Sequence, residues 1–571
     1  MQHPIGDHAL LADSRTAALI DPGGNVAWLC WPRIDSTPLL FSILDEQRGG
    51  VLQVRPARAG ATIVSRRYHP RSLVLETVWD TGDARLMVDD ALGLGDRPVL
   101  MRRMRALGGD VEVETGFRAP SWPGRRLEVR VVDRVVEVSG DEHLVVHAPS
   151  GWRASGDGVI SSFTVRPGAE SLVTLAAPPI DMRPADIDVT LAAWRRTVPD
   201  VSSLALGDAL PAAIDEATLR DLLGTTAAVL AGLHSGAGGI VAAPTTSLPQ
   251  WPGSARTWDY RYSWLRDSSL AALAMLRLGM VDRARALGAF IGNAVVEHGP
   301  VPLVRVDGTA PPPEHLVTTL TGYRGARPVR IGNAAAGQAQ LDVPGEVIDL
   351  AAALAKKEAI PGELRAAVPI LAGWLTAHRG DPDSGIWEIR GESRRYTHSL
   401  LTAISGLSGA ADLAARGVVA GDEPAWRAAA VEITGVLGTR GGAMQLRLDG
   451  GGADAALAQL TLLGGLEQFR SRVGPTLELI VERLDRGGLV DRYEGQPDTL
   501  ADPCAPFVFP TFWLAGALAA TGRDGSRPLI AALAARGPLG LFGEVADPET
   551  RAPLGNYPQV QSHAALALAV T

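Results

Sequence analysis

The hydrophobic period of this chain changes once, near residues 185–200, and that change limits the fold more than any other feature. Before it, short segments alternate apolar and polar residues, at 51–55, 73–78, 111–115, 127–132 and 171–175. Asp21-Pro-Gly-Gly24, Thr81-Gly-Asp83 and Leu107-Gly-Gly-Asp110 supply turns between such segments. A period of two with frequent turns predicts many short antiparallel strands, a β-sandwich. The stretch from residue 185 reads as a linker helix that stops before Pro199. Beyond it, apolar residues recur at helical spacing, and about twelve candidate helices fall between residues 215 and 570. The clearest span 216–234, 260–278, 345–356, 362–378, 396–415 and 473–486. Twelve helices fit six hairpins closed into a toroid. Periodicity does not establish the closure, but no fixed repeat marks a solenoid. The expectation is two domains, residues 1–200 and 201–571.

Length agrees, since 571 residues exceed what one hydrophobic core organises. The net charge of −9 is spread without a run of five like charges, which argues against a nucleic-acid partner. Cys30 and Cys504 are the only cysteines and stand far apart, so no disulfide framework or zinc motif is indicated. No metal and no cofactor is expected. The longest apolar run, residues 507–522, is broken by Pro510, Thr511 and Gly516 and is too short for a membrane span. The opening Met1-Gln-His-Pro-Ile-Gly-Asp-His8 lacks a basic stretch followed by an apolar core, so a cytoplasmic location is expected. A homo-oligomer is compatible with the sequence, which does not determine the oligomeric state.

The less helical stretches of the second half, 236–257, 301–333, 381–395, 491–510 and 537–558, carry most of its polar and aromatic residues. Loops on a rigid scaffold are where sites are usually built. Glu388 lies in Asp383-Ser-Gly-Ile-Trp-Glu-Ile-Arg-Gly391, flanked by Trp387 and Ile389 with Arg390 beside it. Glu544 lies in Gly540-Leu-Phe-Gly-Glu-Val-Ala-Asp547. Each taken alone reads as an ordinary loop acid. Together they supply what hydrolysis of a glycosidic acetal needs, one carboxyl to protonate the leaving oxygen and one to attack or to activate water. Arg256-Thr-Trp-Asp-Tyr-Arg-Tyr-Ser-Trp-Leu-Arg-Asp-Ser268 is dense in aromatic, Arg and Asp side chains for a chain with only 5% aromatics. Rings stack on sugar faces, while Arg and Asp bind hydroxyls. Its plainer reading is a helix start with buried rings. Arg327-Pro-Val-Arg-Ile-Gly-Asn-Ala-Ala-Ala-Gly-Gln-Ala-Gln340 adds Arg330 and Asn333, or merely caps a helix. No GxSxG elbow, P-loop, HExxH or dinucleotide fingerprint competes.

These segments together resemble glycoside hydrolase family 15, the family of glucoamylases, glucodextranases and bacterial trehalases. The resemblance also covers Ile5-Gly-Asp-His-Ala-Leu-Leu-Ala-Asp-Ser-Arg-Thr-Ala-Ala-Leu19, Trp28-Leu-Cys-Trp-Pro-Arg-Ile-Asp-Ser36, Ile240-Val-Ala-Ala-Pro-Thr-Thr-Ser-Leu-Pro249 and Leu554-Gly-Asn-Tyr-Pro-Gln559. It implies an N-terminal antiparallel β-sandwich followed by an (α/α)6 barrel, and net inversion at the anomeric carbon of an α-glucoside. It implies Glu388 as general acid and Glu544 as general base, with carboxyls ~6.5–9.5 Å apart to admit a water. Arg266 and Asp267 would hold the non-reducing-end glucose, with Trp387 and Trp258 as pocket walls. Tyr260, Arg330, Asn333 and Arg390 complete the candidate substrate contacts.

The chain departs from the family pattern at several points. His398-Ser-Leu400 lacks the usual basic third residue, and Pro344 replaces a common Tyr. Ala-Gly follows Phe512-Trp-Leu514 where an acid is usual, Val545 follows Glu544 where a second acid is usual, and Gln561-Ser-His563 stands for Phe-Ser-His. The leading expectation is exo-acting hydrolysis of trehalose or of short malto- or isomalto-oligosaccharides. A relative using the same carboxylate pair on a non-standard glycoside or secondary metabolite is one alternative; a non-catalytic sugar-binding protein is another.

Overall fold

The computed structural model describes residues 2–95, 97–179, 183, 186–207, 214–438, 442–495, 498 and 500–571. Three antiparallel sheets form the N-terminal part. One has eight strands, another four, and the third is made of Ala9–Ala12, Ala17–Ile20, Val26–Cys30 and Pro38–Leu40. The alternating segments are strands where expected, among them Val51–Pro56, Val111–Arg118, Glu128–Val132 and Glu170–Ala176. The segment at 73–78 is displaced to Leu75–Asp80.

The third sheet lacks polar alternation because both of its faces are buried. Leu10, Leu19, Trp28 and Cys30 belong to one apolar core, which continues into the helices. Leu11, Ala18, Ile20 and Leu29 belong to a second, which fills the sandwich. Successive side chains of a strand point to opposite faces, so this sheet is apolar on both sides and lies between two cores. The Trp28 indole N–H donates to Pro244 O at 2.8 Å and fixes the sheet to a barrel loop.

A linker helix α1 (Asp186–Thr197) leads into the helical part: α2 (Glu216–Leu233), α3 (Leu265–Arg277), α4 (Val281–His298), α5 (Asp342–Lys356), α6 (Gly362–His378), α7 (Thr397–Ala415), α8 (Glu423–Gly438), α9 (Arg470–Leu484), α10 (Val508–Ala520), α11 (Ser526–Ala534) and α12 (Val560–Val570). The twelfth barrel position is a 3₁₀ segment, Ala455–Thr461. Helices α3, α5, α7, the 3₁₀ segment, α10 and α12 each pack on the next, and α12 returns to α3. The toroid is therefore closed, with the other helices packed outside. The closure, which periodicity left open, comes from small residues at the inner contacts. At Gly345 a Cβ would lie 2.3 Å from Thr402 O, and at Gly406 2.6 Å from the Gly345 Cα.

Three expected helices differ by two residues or more, and that over 345–356 begins three residues earlier, at Asp342. The helix expected over 260–278 begins only at Leu265. Tyr260 O and Tyr262 O accept from the N–H groups of Ala243 and Ala242, and Ser263–Trp264 pairs with Leu303–Val304, so this backbone is extended. The helix expected over 473–486 runs Arg470–Leu484, with Asp485–Arg486 diverted into a two-strand ladder. Pro344 sits in the first turn of α5, where no intrahelical acceptor awaits its missing N–H. No helix among the described residues is long and apolar enough to cross a membrane.

Candidate active site

The five loop stretches of the second half meet at the end of the barrel where α3, α5 and α7 begin. Each contributes lining to one cavity, through Gln250, Asn333, Glu388, Arg492 and Glu544 among others. The cavity holds about 840 Å³ of empty space, mouth included.

Glu388 sits in a tight turn. Its N–H donates to Gly385 O at 3.0 Å and the Ile389 N–H to Ser384 O at 3.0 Å. Asp383 anchors the turn, its Oδ2 accepting from Leu341 N at 2.9 Å and Ser399 Oγ at 2.8 Å. Glu388 itself has φ 54°, a left-handed conformation that a non-glycine residue keeps only where its surroundings impose it. Three donors converge on its Oε1: Trp264 Nε1 at 2.6 Å, Arg266 Nη2 at 3.1 Å and Gln340 Nε2 at 3.4 Å.

Glu544 is held in place by the pairing of Val545–Ala546 with Pro553–Leu554 and by the Val508 N–H, which donates to its carbonyl at 2.9 Å. The residue is 5% exposed. Gln250 Nε2 donates to Oε2 at 2.7 Å and Tyr260 OH to Oε1 at 2.7 Å. Burial pushes this carboxyl up to about 7, against the hydrogen bonds from Gln250 and Tyr260 and the nearby Arg492 charge, which favour the ionised form. The Tyr260 and Trp264 rings meet edge to face, centroids 5.6 Å apart. Each glutamate thus receives a hydrogen bond from one member of a single aromatic pair.

The buried Arg266 guanidinium ties the α3 start to its neighbours, reaching Asp267 Oδ1 at 3.2 Å, Gln340 Oε1 at 2.9 Å and Asp342 Oδ2 at 3.2 Å. Asp267 is pushed up to about 6 by burial, with Arg266 opposing. Trp387 lines the wall, its indole N–H given to Asp454 Oδ1 at 2.8 Å and its ring stacked on Phe509 at 5.9 Å. Two guanidiniums lie over the Trp258 ring, Arg390 at 4.3 Å and Arg330 at 4.9 Å from its centre. Both arginines pair with Glu314.

Nine of the ten expected site residues line this one cavity. Arg330 is the exception: it stands behind Trp258, held there by Glu314. Asn333 reaches the cavity, but its Oδ1 caps the 3₁₀ turn Ala334–Gly337 through Ala335 N at 3.0 Å, so both plain and functional readings hold for it. Sequence reasoning missed Gln250, Trp264, Gln340, Arg492 and Gln561. Trp264 and Gln340 lie inside segments already singled out, and only their side-chain directions were lacking. Elsewhere, His69, Glu76 and Asp89 come close enough to share an ion, but Arg67, Arg103 and Arg105 already pair with those carboxylates.

The model of glycosyl hydrolases family 15 matches residues 220–533, and that of the trehalase-like N-terminal domain matches residues 1–176. The chain belongs to glycosyl hydrolases family 15. It is therefore a glycosidase, built as a sheet-rich domain followed by a helical barrel. Among family 15 relatives, a trehalase of Mycolicibacterium smegmatis is 32% identical over 99% of this chain and 91% of its own length. Trehalase 2 of Sulfolobus acidocaldarius is 30% identical over 99% of both. A bacterial glucoamylase solved with acarbose superposes with a TM-score of 0.71 over the whole of this chain and 94% of its own, at 14% identity, a likeness of fold.

Proposed function

We propose that this family 15 enzyme hydrolyses trehalose, an α-glucoside, with inversion, Glu388 acting as general acid and Glu544 as general base. The observation that carries the reading is the pair of carboxyls in one cavity, each oriented by a ring of the Tyr260–Trp264 pair. The donors to Glu388 gather on Oε1, which leaves Oε2 to carry the proton that passes to the glycosidic oxygen as the C–O bond breaks. Glu544 takes a proton from the attacking water; burial strengthens it as a base. The new C–O bond forms on the face opposite the leaving group. Arg266 and Asp267 bind glucose hydroxyls, with Trp258, Tyr260, Trp387 and Arg390 shaping the pocket. Trehalose is favoured because relatives matched over nearly their whole length are trehalases. The division into residues 1–200 and 201–571 belongs to the same proposal, since the two family models leave 177–219 between them.

The test is to incubate the purified protein with trehalose, maltose, isomaltose and maltotriose and follow the products by NMR. Equal amounts of β- and α-glucose from trehalose, ahead of mutarotation, are expected, the β anomer from the attacked ring and the α anomer from the leaving glucose. α-Glucose alone would exclude inversion. Faster release from maltose or isomaltose would move the substrate to oligosaccharides, and no release from any would redirect the carboxylate pair to another acetal.

A further inference from the structure

The inner helices enclose a second space at the opposite end of the barrel from the catalytic cavity. It is lined by the later turns of α3, α5 and α7, by Gln459 and Leu462 to Gly465 after the 3₁₀ segment, and by Leu568 of α12. It holds about 1990 Å³ of empty space, mouth included, against about 840 Å³ for the catalytic cavity. None of its lining residues takes part in the proposed chemistry.

Three zones follow one another along it. The floor is acidic: Asp342, Glu346 and Asp349 recur at the spacing that places side chains on one face of α5, and the last two reach this space. Glu346 is 3% exposed, and among the described residues neither carboxyl oxygen has a hydrogen-bond partner. The His398 Nε2 is 4.0 Å away and is engaged with Gln459. Asp349 accepts from Ser405 Oγ, at 2.8 and 2.9 Å to its two oxygens, and from no other donor among the described residues. The wall is aliphatic, with Leu270, Leu273, Leu276, Leu413 and Leu463. The rim is basic, carrying Arg277, Arg416 and the only two lysines of the chain, Lys356 and Lys357, with Asp412 the one acid among them.

We propose that this second mouth binds a linear aliphatic ω-amino acid, its ammonium seated on Glu346 and Asp349 and its carboxylate held at the basic rim. A buried carboxyl without a partner is costly, and an ammonium brings three donors and the opposite charge. Burial raises both the Glu346 and Asp349 carboxyls, outweighing the Arg266 charge near the first and the Lys356 charge near the second. Methylenes fit the leucine wall. Asp349 and Lys356 are seven residues apart on α5, a rise of about 10 Å, which suits a chain of about six carbons. Among the described residues, the three side chains placed closely enough to share a metal ion lie elsewhere, at His69, Glu76 and Asp89.

Calorimetric titration of the full-length protein with 6-aminohexanoate, hexylammonium and hexanoate tests this. Binding of 6-aminohexanoate, weaker binding of hexylammonium and none of hexanoate are expected. Glu346→Gln and, independently, Ala353→Phe, which fills the bore from its wall, should each weaken 6-aminohexanoate at least tenfold while glycosidase activity shows the variants folded. Glu388→Gln should leave this binding intact. Absence of binding by 6-aminohexanoate, equal binding of hexanoate, or loss of binding in Glu388→Gln with retention in Ala353→Phe would each overturn the proposal. The last outcome would place the amine in the catalytic cavity.

Discussion

Removing the Tyr260 hydroxyl gives the sharpest test of how Glu544 is tuned. Tyr260→Phe keeps the ring against Trp264 and deletes one 2.7 Å donor to the Glu544 carboxylate. A hydrogen bond to a charged group is worth about 1.5–3 kcal/mol net, and one pH unit corresponds to about 1.4 kcal/mol. The donor favours the ionised form, so its loss raises the carboxyl further, by about one to two pH units. Glu544 acts only when ionised, and it already lies at about 7. The acidic limb of kcat/KM is therefore expected near pH 7 in the unaltered enzyme and about one to two units higher in the variant. At pH 7 the ionised fraction falls from about one half to about a tenth or less, and activity falls at least about fivefold, regained as pH rises. The assay is kcat/KM for trehalose across the acidic limb. A uniform loss at every pH, with the limb unmoved, would show that Tyr260 shapes the pocket without tuning the base, and the reasoning would be wrong.

Glu388→Gln should cut kcat on trehalose by about 10²–10⁴, yet spare hydrolysis of a glucosyl fluoride, whose leaving group needs no proton. Glu544→Gln should abolish both, as progress curves with the two substrates would show. Gln561 is 4% exposed, lines the catalytic cavity and has no acceptor for its Nε2 among the described residues; Gln561→Leu should raise KM about two- to tenfold through one lost substrate hydrogen bond, with kcat little changed in steady-state kinetics. Asp454 is pushed up to about 7 by burial, and its Oδ2 has no partner among the described residues. Its folded-state value lies above the unfolded one, so the stability it contributes is full below about pH 4 and is lost as pH rises through about 7. Asp454→Asn mimics the protonated form, and its Tm should match the parent in acid and exceed it above pH 7 by calorimetry.

How much was legible beforehand depended on whether burial left a period in the sequence. Strands such as Val111–Arg118 and helices such as α6 have one buried face, and the alternation or helical spacing exposes them directly. The strands Ala9–Ala12 and Ala17–Ile20 are buried on both faces, so no alternation marks them. The start of α3 was misplaced because Tyr260–Trp264 keeps a helix-compatible pattern while its backbone groups are taken by neighbouring loops. Candidate residues came from composition and motif, which is why Arg330 was included and Gln250 was not. Only side-chain direction separates an arginine held behind Trp258 by Glu314 from a glutamine donating to Glu544.

The doubly buried N-terminal sheet has one more consequence. Its two faces complete two different cores, so neither half of the molecule has a finished surface without it. A barrel expressed from residue 201 onward would present to water the wall that Leu10, Leu19 and Trp28 now cover, and a sandwich expressed alone would carry those same residues outward. The change of secondary structure along the chain and the seam of cooperative unfolding are thus different lines. Chimaeras between relatives should exchange the first forty residues together with the barrel they seal.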